Sequence, residues 1–278
     1  MAQVPQVALF TDFGPTGPYI GQMRAVLRQI APKVSIIDLF SDIPPFDVKA
    51  AAYLLPAYAP DMGKGTVFVC VVDPGVGGER PPMILRAQNQ VFVGPGNGLF
   101  EIVARRAGKY SAQRIEWRPE RLSASFHGRD LFAPVAAGIA LGDFEDFSLL
   151  HDQDWRQLDW PDDLAEVVYI DRYGNAITGL RSVNLSVDQS LRVDEINLSR
   201  ANTFSDVPVG EAFWYENANG LIEVSVNQGS AADDLGLKPG KKTYRCLGGV
   251  GTEYCPSSKR QIRIYFIGQT FRRFFAGI

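Results

Sequence analysis

Two carboxylates follow predicted strands, at positions where a side chain could act on a bound molecule. Asp12 comes directly after an apolar run at residues 6–11, and Asp73 follows residues 66–72, which are almost all apolar. In a sheet of parallel strands, ligands collect beyond the carboxyl ends of the strands. A carboxylate there can accept two hydrogen bonds from a vicinal diol, or it can cap the next helix. Both readings are open for these residues.

The segment after Asp73 favours a ligand-binding role. Residues 74–80 hold three glycines in four positions, so this backbone can turn tightly and approach a bound molecule. The segment lacks the Lys-Ser/Thr ending of a phosphate-binding loop, and its spacing fits neither GxxxxGK nor GxGxxG. We therefore expect a ligand without a phosphate group at this loop.

His127 is the more interesting of the two histidines. It lies between an aromatic residue and a glycine, just before a predicted helix, and an imidazole can exchange a proton near neutral pH. A lone histidine is more often a hydrogen-bonded structural residue, and His151 keeps that interpretation. Two histidines and no CxxC pair exclude a multi-histidine metal centre, so no metal site and no cofactor are predicted.

The cysteines and the overall charge narrow the class of protein. Cys70 lies inside an apolar run and is predicted to be a buried free thiol, while Cys246 and Cys255 could be either paired or reduced. The net charge is −3, which gives no general attraction for nucleic acid or an anionic membrane. No apolar stretch reaches membrane-spanning length and no signal segment is evident, so we expect a cytoplasmic protein whose partner is a small molecule.

The elements that must position these residues alternate between strand and helix in the first half of the chain. This order predicts an α/β domain over residues 1–155, with a largely parallel sheet and helices on both faces. Residues 82–87 and 90–93 form a hairpin-like pair inside it. An acidic, aromatic stretch at 151–163 is interpreted as a linker held down by Trp155 and Trp160.

Beyond the linker, helical periodicity almost vanishes. Short strand-like runs at 166–170, 191–196, 212–215, 221–226 and 262–267 are separated by Gly, Asn, Asp and Pro. This pattern predicts a smaller all-β, barrel-like domain over residues 163–278. Five basic residues after Pro256 are interpreted as a solvated edge, with a partner contact as the alternative.

Five short motifs then occur in one order along the chain. They are TDFG at 11–14, VVDPGVG at 71–77, FVGP with NGL at 92–99, FHGRD with FAP at 126–134, and IDRYGN at 170–175. Together they resemble the S-adenosyl-L-methionine hydroxide adenosyltransferases, which are relatives of the fluorinase and chlorinase. The resemblance spans roughly residues 5 to 240. It implies an α/β domain, a β-barrel domain and a homotrimer with active sites between subunits.

The resemblance also implies a reaction and a catalytic set. S-adenosylmethionine and water would give adenosine and methionine, with Asp73, Arg80 and His127 as the catalytic residues. The sulfonium is already a good leaving group, so the site has only to hold a water in line with the C5′–S bond and activate it. Either Asp73 or His127 accepts the proton of that water, and Arg80 keeps Asp73 ionised. Other residues occupy the Asp and His positions in the halogenating relatives, so a halide nucleophile is not expected.

A further set of residues is implied to hold the substrate. Asp12 would bind the ribose hydroxyls, Phe46 and Phe204 would stack on adenine from different subunits, and Asn175 would pair with the adenine edge. Asp171 would meet the methionine ammonium. The remaining substrate-binding candidates lie in or beside the family motifs; they are Phe126, Gly128, Asn217 and Asn227.

The chain departs from the family pattern at three positions, and at two of them the family has an Asp or a Ser that helps to bind the methionine end of the substrate. Gly17 replaces the second acid of TDFGxxDPY, Gly96 stands in FVGPDNG, and Ala218 replaces a serine after Asn217. The missing Asp and Ser predict weaker methionine recognition, or a 5′-substituted adenosine other than S-adenosylmethionine. The alternative from another class is a non-catalytic adenosine-nucleoside sensor with the same fold.

Overall fold

The computed structural model describes residues 5–185 and 190–246. Within these residues the chain forms two seven-stranded sheets. The predicted strand at 262–267 and the basic tail lie outside the described residues, and so does Cys255, whose pairing with Cys246 the sequence left open. No helix in the described part of the chain is long and apolar enough to cross a membrane.

The first sheet is mixed rather than largely parallel, which corrects the prediction. Its strands are β1 Gln6–Thr11, β2 Ser35–Phe40, β3 Val67–Val71, β4 Pro82–Ala87, β5 Gln90–Pro95, β6 Tyr110–Ile115 and β7 Phe147–Leu149. Their spatial order is β2-β1-β3-β5-β4-β6-β7. The first four strands in this order run parallel, whereas β4, β6 and β7 pair antiparallel.

The predicted hairpin is the reason for the mixed sheet. Gln88 and Asn89 join β4 to β5 with φ angles of 52° and 61°. Two consecutive residues with positive φ form the tight turn that suits the twist of an antiparallel pair. The hairpin therefore sets β4 antiparallel to β5, and β6 and β7 extend the antiparallel part of the sheet beyond β4.

Helices cover both faces of this sheet, as predicted. They are α1 Tyr19–Ile30, α2 Val48–Tyr58, α3 Glu101–Ala107 and α4 Ala133–Leu141. Alternate residues of β1 and β3 point to opposite faces. Val7 and Val69 pack with α1 and α4, whereas Ala8 and Phe68 pack with α2 and α3. Both faces of the parallel strands are therefore buried.

The second sheet closes almost completely on itself. Its strands are β8 Leu164–Ile170, β9 Ala176–Arg181, β10 Ser190–Val193, β11 Ile196–Arg200, β12 Ala212–Glu216, β13 Leu221–Val226 and β14 Tyr244–Cys246, and a short helix α5 covers Ala231–Asp234. The spatial order is β14-β10-β11-β12-β13-β9-β8, and among the pairs in the described residues only β11 with β12 is parallel. A bridge between Glu166 on β8 and Lys242, just before β14, links the two ends of this order.

Two details of this sheet differ from the prediction. The run at 191–196 is two strands, since Asp194 has a φ of 49° and turns the chain between β10 and β11. Strands β9 and β14 were not predicted, and β9 lies between β8 and β13 and pairs with both. The barrel-like character of the sheet is as expected.

The stretch at 151–163 is attached to the first sheet by more than its tryptophans. Trp155 is buried, as expected. Glu101, at the start of α3, accepts hydrogen bonds from Arg156 (2.6 Å) and from the backbone N–H of Gln157 (3.0 Å). Burial alone would raise the pKa of Glu101, but these hydrogen bonds outweigh it and lower the pKa to about 2. This carboxylate therefore stays ionised and holds the stretch in place.

Candidate active site

Asp12 and Asp73 lie side by side beyond the carboxyl ends of two neighbouring strands of the first sheet, as predicted. Strands β1 and β3 are neighbours with Thr11 opposite Val71, and each carboxylate follows its strand. Asp12 does not cap the helix that follows it, since α1 begins at Tyr19 after Pro18. Its Oδ2 instead accepts the backbone N–H of Phe46 at 2.9 Å. Partial burial raises the pKa of Asp12, and the nearby charge of Asp73 adds to this rise. Asp12 is therefore positioned at the sheet edge as a candidate ligand-binding group.

Asp73 and Arg80 form a bidentate ion pair that is almost buried. The Arg80 Nε lies 3.1 and 3.0 Å from the two carboxylate oxygens, and Nη2 lies 2.5 Å from Oδ2. The side chains are only 3% and 10% exposed for Asp73 and Arg80. A planar guanidinium matches a carboxylate in this geometry, so both groups are held in one orientation.

A glycine allows the loop between these two residues to pack closely. Gly77 has a φ of 80°, and a Cβ there would lie 2.7 Å from the carbonyl oxygen of Ala124. The loop after β3 therefore rests against the segment that leads to His127. This contact brings together residues that are about fifty positions apart in the sequence.

Arg80 joins His127 to the ion pair. Its Nη2 lies 2.8 Å from the Nδ1 of His127, and an arginine can only donate. Nδ1 is therefore the acceptor, and the neutral ring carries its proton on Nε2. Burial lowers the pKa of His127, and the charge of Arg80 lowers it further. Arg80 thus fixes the tautomer of His127.

We call Asp12, Asp73, Arg80 and His127 the strand-end cluster. The predicted Phe126 and Gly128 flank its histidine. The Phe126 ring packs edge-on against Tyr19 at 5.3 Å and against Phe13 at 5.8 Å. A Cβ on Gly128 would lie 3.3 Å from the Phe13 ring. These residues form a tightly packed aromatic support beside the cluster.

Phe46 stands beside the cluster with its ring in solvent. Its side chain is 73% exposed and its φ is 66°, a conformation that is rare for a bulky residue. The hydrogen bond from its backbone to Asp12 helps to hold that conformation. An exposed aromatic ring held in a strained loop is available to stack on another molecule.

Four other predicted residues meet in a second place. Asp171, Asn175, Phe204 and Asn217 line a cavity of about 870 Å³, next to Ala218, and we call it the tyrosine pocket. Its tyrosines are Tyr58, Tyr169, Tyr173 and Tyr215. The pocket lies where α2 and β2 of the first sheet meet β8, β9, β12 and β13 of the second.

Asp171 organises the turn between β8 and β9. Its Oδ1 accepts the backbone N–H groups of Tyr173 (2.8 Å) and Asn175 (2.9 Å), and its Oδ2 accepts the Asn175 amide at 2.9 Å. Asn175 therefore helps to form this turn. The Oδ1 of Asn175 has no partner in the described residues and remains available to a ligand.

Asn227 is not brought to the wall of this pocket in the described structure. Its amide donates to the carbonyl of Val207 at 2.7 Å, and its backbone ties the segment before β12. The structure supports a role in holding that segment. Asn227 as a substrate ligand stays a prediction.

Glu223 and Tyr215 line the pocket and were not predicted from the sequence as site residues. Glu223 is 5% exposed and accepts hydrogen bonds from Tyr215 (2.5 Å) and Asn217 (3.1 Å). Burial raises the pKa of Glu223, and the charge of Asp171 adds to the rise. Tyr215 and Glu223 face each other across β12 and β13, a register that only the paired strands reveal. The available signal was a single tyrosine on each of two predicted strands, Tyr169 at 166–170 and Tyr215 at 212–215.

The strand-end cluster and the tyrosine pocket share no residue in the described chain. A smaller cavity of about 240 Å³ adjoins Arg80 and His127, and its wall includes Arg114 and Arg118. Within residues 5–185 and 190–246, no three His, Cys, Asp or Glu side chains are grouped so as to hold a metal ion.

Comparison with known proteins identifies the family. Residues 7–148 match the model of the SAM hydroxide adenosyltransferase N-terminal domain, and residues 165–244 match that of the C-terminal domain. The chain is 36% identical over 254 residues to an (R)-S-adenosyl-L-methionine hydrolase of Salinispora arenicola, covering 86% of this chain and 97% of the relative. A relative of the same name from Thermus thermophilus is 36% identical over 256 residues, covering 84% and 96% of the two chains.

A solved structure agrees with both sheets. An uncharacterised conserved protein from Thermotoga maritima superposes with a TM-score of 0.77 at 32% identity, over 86% of this chain and 99% of that one. The two domain models together account for most of the sequence, in the order and at the positions of the two sheets. The chain therefore belongs to the SAM hydroxide adenosyltransferase family.

Proposed function

We propose that this enzyme hydrolyses S-adenosyl-L-methionine to adenosine and L-methionine by attack of water on C5′. The observation that carries the proposal is the contact chain from Asp73 through Arg80 to His127, beside Asp12 at one sheet edge. The family and the names of the relatives support the same reaction.

In this mechanism a water oxygen forms a bond to C5′ while the C5′–S bond breaks and its electron pair returns to sulfur. The products are a neutral thioether and a protonated alcohol, which must lose one proton. Asp73 accepts this proton, since the Nδ1 of His127 is already engaged by Arg80. The Nε2–H of His127 donates to the water and orients it, and the ion pair with Arg80 holds the Asp73 carboxylate in one orientation for the attack.

The substrate is shared between the two sites described above. Asp12 binds the ribose hydroxyls and Phe46 stacks on one face of adenine. Asn175 and Phe204 of the tyrosine pocket hold the adenine edge and its other face, while Asp171 meets the ammonium. Because cluster and pocket share no residue among those the structure describes, we propose a homotrimer in which each site combines two subunits. Light scattering tests this, with three times the mass of one chain expected.

The division of labour follows the two sheets. We propose a catalytic α/β domain over 1–155 and a β-barrel-like domain over 163–278 that completes the substrate site. The predicted cytoplasmic location stays a prediction.

The relatives' names add a stereochemical expectation. Both are (R)-S-adenosyl-L-methionine hydrolases, so we propose that this chain also prefers the (R) configuration at sulfur. Separated sulfonium epimers, assayed side by side for adenosine formation, test this preference. Equal rates for the two epimers would contradict it.

The reaction itself is tested with ¹⁸O-labelled water. Purified protein and S-adenosyl-L-methionine should give ¹⁸O-labelled adenosine and an equal amount of methionine. Unlabelled adenosine would contradict attack by water at C5′. Binding without any product would favour the nucleoside-sensor alternative.

A further inference from the structure

The walls of the tyrosine pocket carry negative charge that no cationic side chain of the pocket balances. Asp171 and Glu223 line it, and among its lining residues in the described chain there is no lysine, arginine or histidine. Two more carboxylates do not line the pocket but accept hydrogen bonds from residues that do. Asp42 accepts from the Tyr169 hydroxyl, and Asp61 accepts from the Asn219 amide, each at 2.9 Å.

The hydrogen-bond donors of the wall are largely committed to these carboxylates. Tyr215 and Asn217 donate to Glu223, and Asn175 donates to Asp171. With Tyr169 and Asn219, five of the eight tyrosine, asparagine and glutamine side chains of the lining donate a hydrogen bond to a carboxylate of the protein. At position 218 an alanine methyl group stands where a hydroxyl could have donated. The wall therefore offers an anionic ligand little that would replace its water.

The same wall suits a cation. Aromatic rings line much of the cavity, and their faces attract ammonium and sulfonium groups. The charges of Glu223 and Asp171 act across the cavity on Tyr58, whose pKa burial and these charges raise to about 12. A positive ligand in the cavity would be attracted by both the rings and the carboxylates.

We propose that this site prefers a 5′-sulfonium adenosine whose side chain ends in an amine without a carboxylate. The proposal rests on the hydrolysis proposed above and names the substrate class that the pocket selects. S-adenosyl-3-methylthiopropylamine is such a compound, with a hydrogen where S-adenosyl-L-methionine has its carboxylate. Water would attack C5′, the electron pair of the C5′–S bond would return to sulfur, and the products would be adenosine, 3-methylthiopropylamine and a proton.

The decisive experiment offers both compounds to the enzyme in one mixture and measures the two thioether products. We expect kcat/KM for the amine to exceed that for S-adenosyl-L-methionine by about tenfold or more, which corresponds to about 1.4 kcal/mol. A ratio of one or below would overturn the proposal and leave the hydrolysis of S-adenosyl-L-methionine standing.

Two variants examine the cause of the preference. Glu223→Gln removes one negative charge with little change of shape, and should lower the amine preference about threefold or more. Glu216→Gln is the matched control, because Glu216 is exposed on the same β-ribbon and does not line the pocket. Ala218→Ser restores a donor and should raise kcat/KM for S-adenosyl-L-methionine alone. An unchanged ratio in both Glu223→Gln and Ala218→Ser would contradict the proposed cause.

Binding separates this inference from the proposed reaction. If neither compound yields adenosine, the hydrolysis proposal fails, and calorimetric titration of the unmodified enzyme then decides the preference. Tighter binding of the amine would support the proposal, and equal or weaker binding would overturn it.

Discussion

The strand-end cluster and the tyrosine pocket manage their carboxylates in opposite ways. In the cluster, Asp73 is paired through three contacts with an arginine, and that arginine also contacts His127. In the pocket, Asp171 and Glu223 receive hydrogen bonds from backbone, amide and hydroxyl groups, none of them charged. The paired arrangement fixes a base in one orientation. The unpaired one leaves net negative charge available to a cationic ligand.

The comparison predicts that damage to Asp73 or Arg80, the ion pair of the cluster, lowers turnover and not binding. Asp73→Asn removes the proton acceptor while keeping its size, so kcat should fall by about a thousandfold. Labelled adenosine formation and calorimetric binding of the substrate measure the two quantities. Asp143→Asn, at an exposed position beyond α4, is the control. Loss of binding in Asp73→Asn with kcat retained would reverse the assignment of the two sites.

A smaller effect is expected when the ion pair keeps its charge and loses its geometry. Arg80→Lys has one ammonium in place of a planar fork, so it cannot hold both Asp73 oxygens and His127 together. We expect kcat to fall about thirtyfold to a hundredfold. Arg86→Lys is a comparable change at a residue whose partner is the neutral amide of Gln113. Full activity in Arg80→Lys would show that charge alone suffices.

Damage to the pocket should act on binding instead. Asp171→Asn removes a negative charge that faces the substrate cation, so KM should rise about tenfold with kcat within about twofold. Steady-state kinetics with Glu216→Gln as control measures this. A selective fall in kcat would show that the pocket takes part in the chemical step.

The smallest effect concerns pH. The pKa of His127 is lowered below its ordinary 6.5 by burial and by Arg80, so the ring is neutral at pH 7 and gains its proton only in acid. The rate should change by less than about twofold between pH 7 and 9, and should fall on the acidic side with a midpoint below 6.5. A midpoint above 7 would show that the ring is protonated in the resting enzyme.

The sequence predicted the cluster better than the pocket for a physical reason. Asp12 and Asp73 each follow an apolar run, and the alternation of these runs with helices predicts parallel strands. The two carboxylates are therefore predicted at the same end of the sheet, beyond the carboxyl ends of its strands. The tautomer of His127 was not predictable, since it depends on Arg80 reaching between Asp73 and the ring. Glu223 is recognised as a pocket acid only once β12 and β13 are paired. The prediction of a largely parallel first sheet was wrong although its hairpin was predicted, because β6 and β7, which extend the antiparallel part beyond β4, were not predicted as strands.

The core beneath the tyrosine pocket has a consequence for how the chain folds and can be altered. Val168, Ile177 and Leu221 of the second sheet belong to the same buried cluster as Phe10 and Leu54 of the first. A chain cut near residue 155 would expose that apolar surface, so the two halves should melt in one transition and aggregate when produced separately. Exchange of one half with that of a relative should succeed only when the facing side chains are exchanged with it.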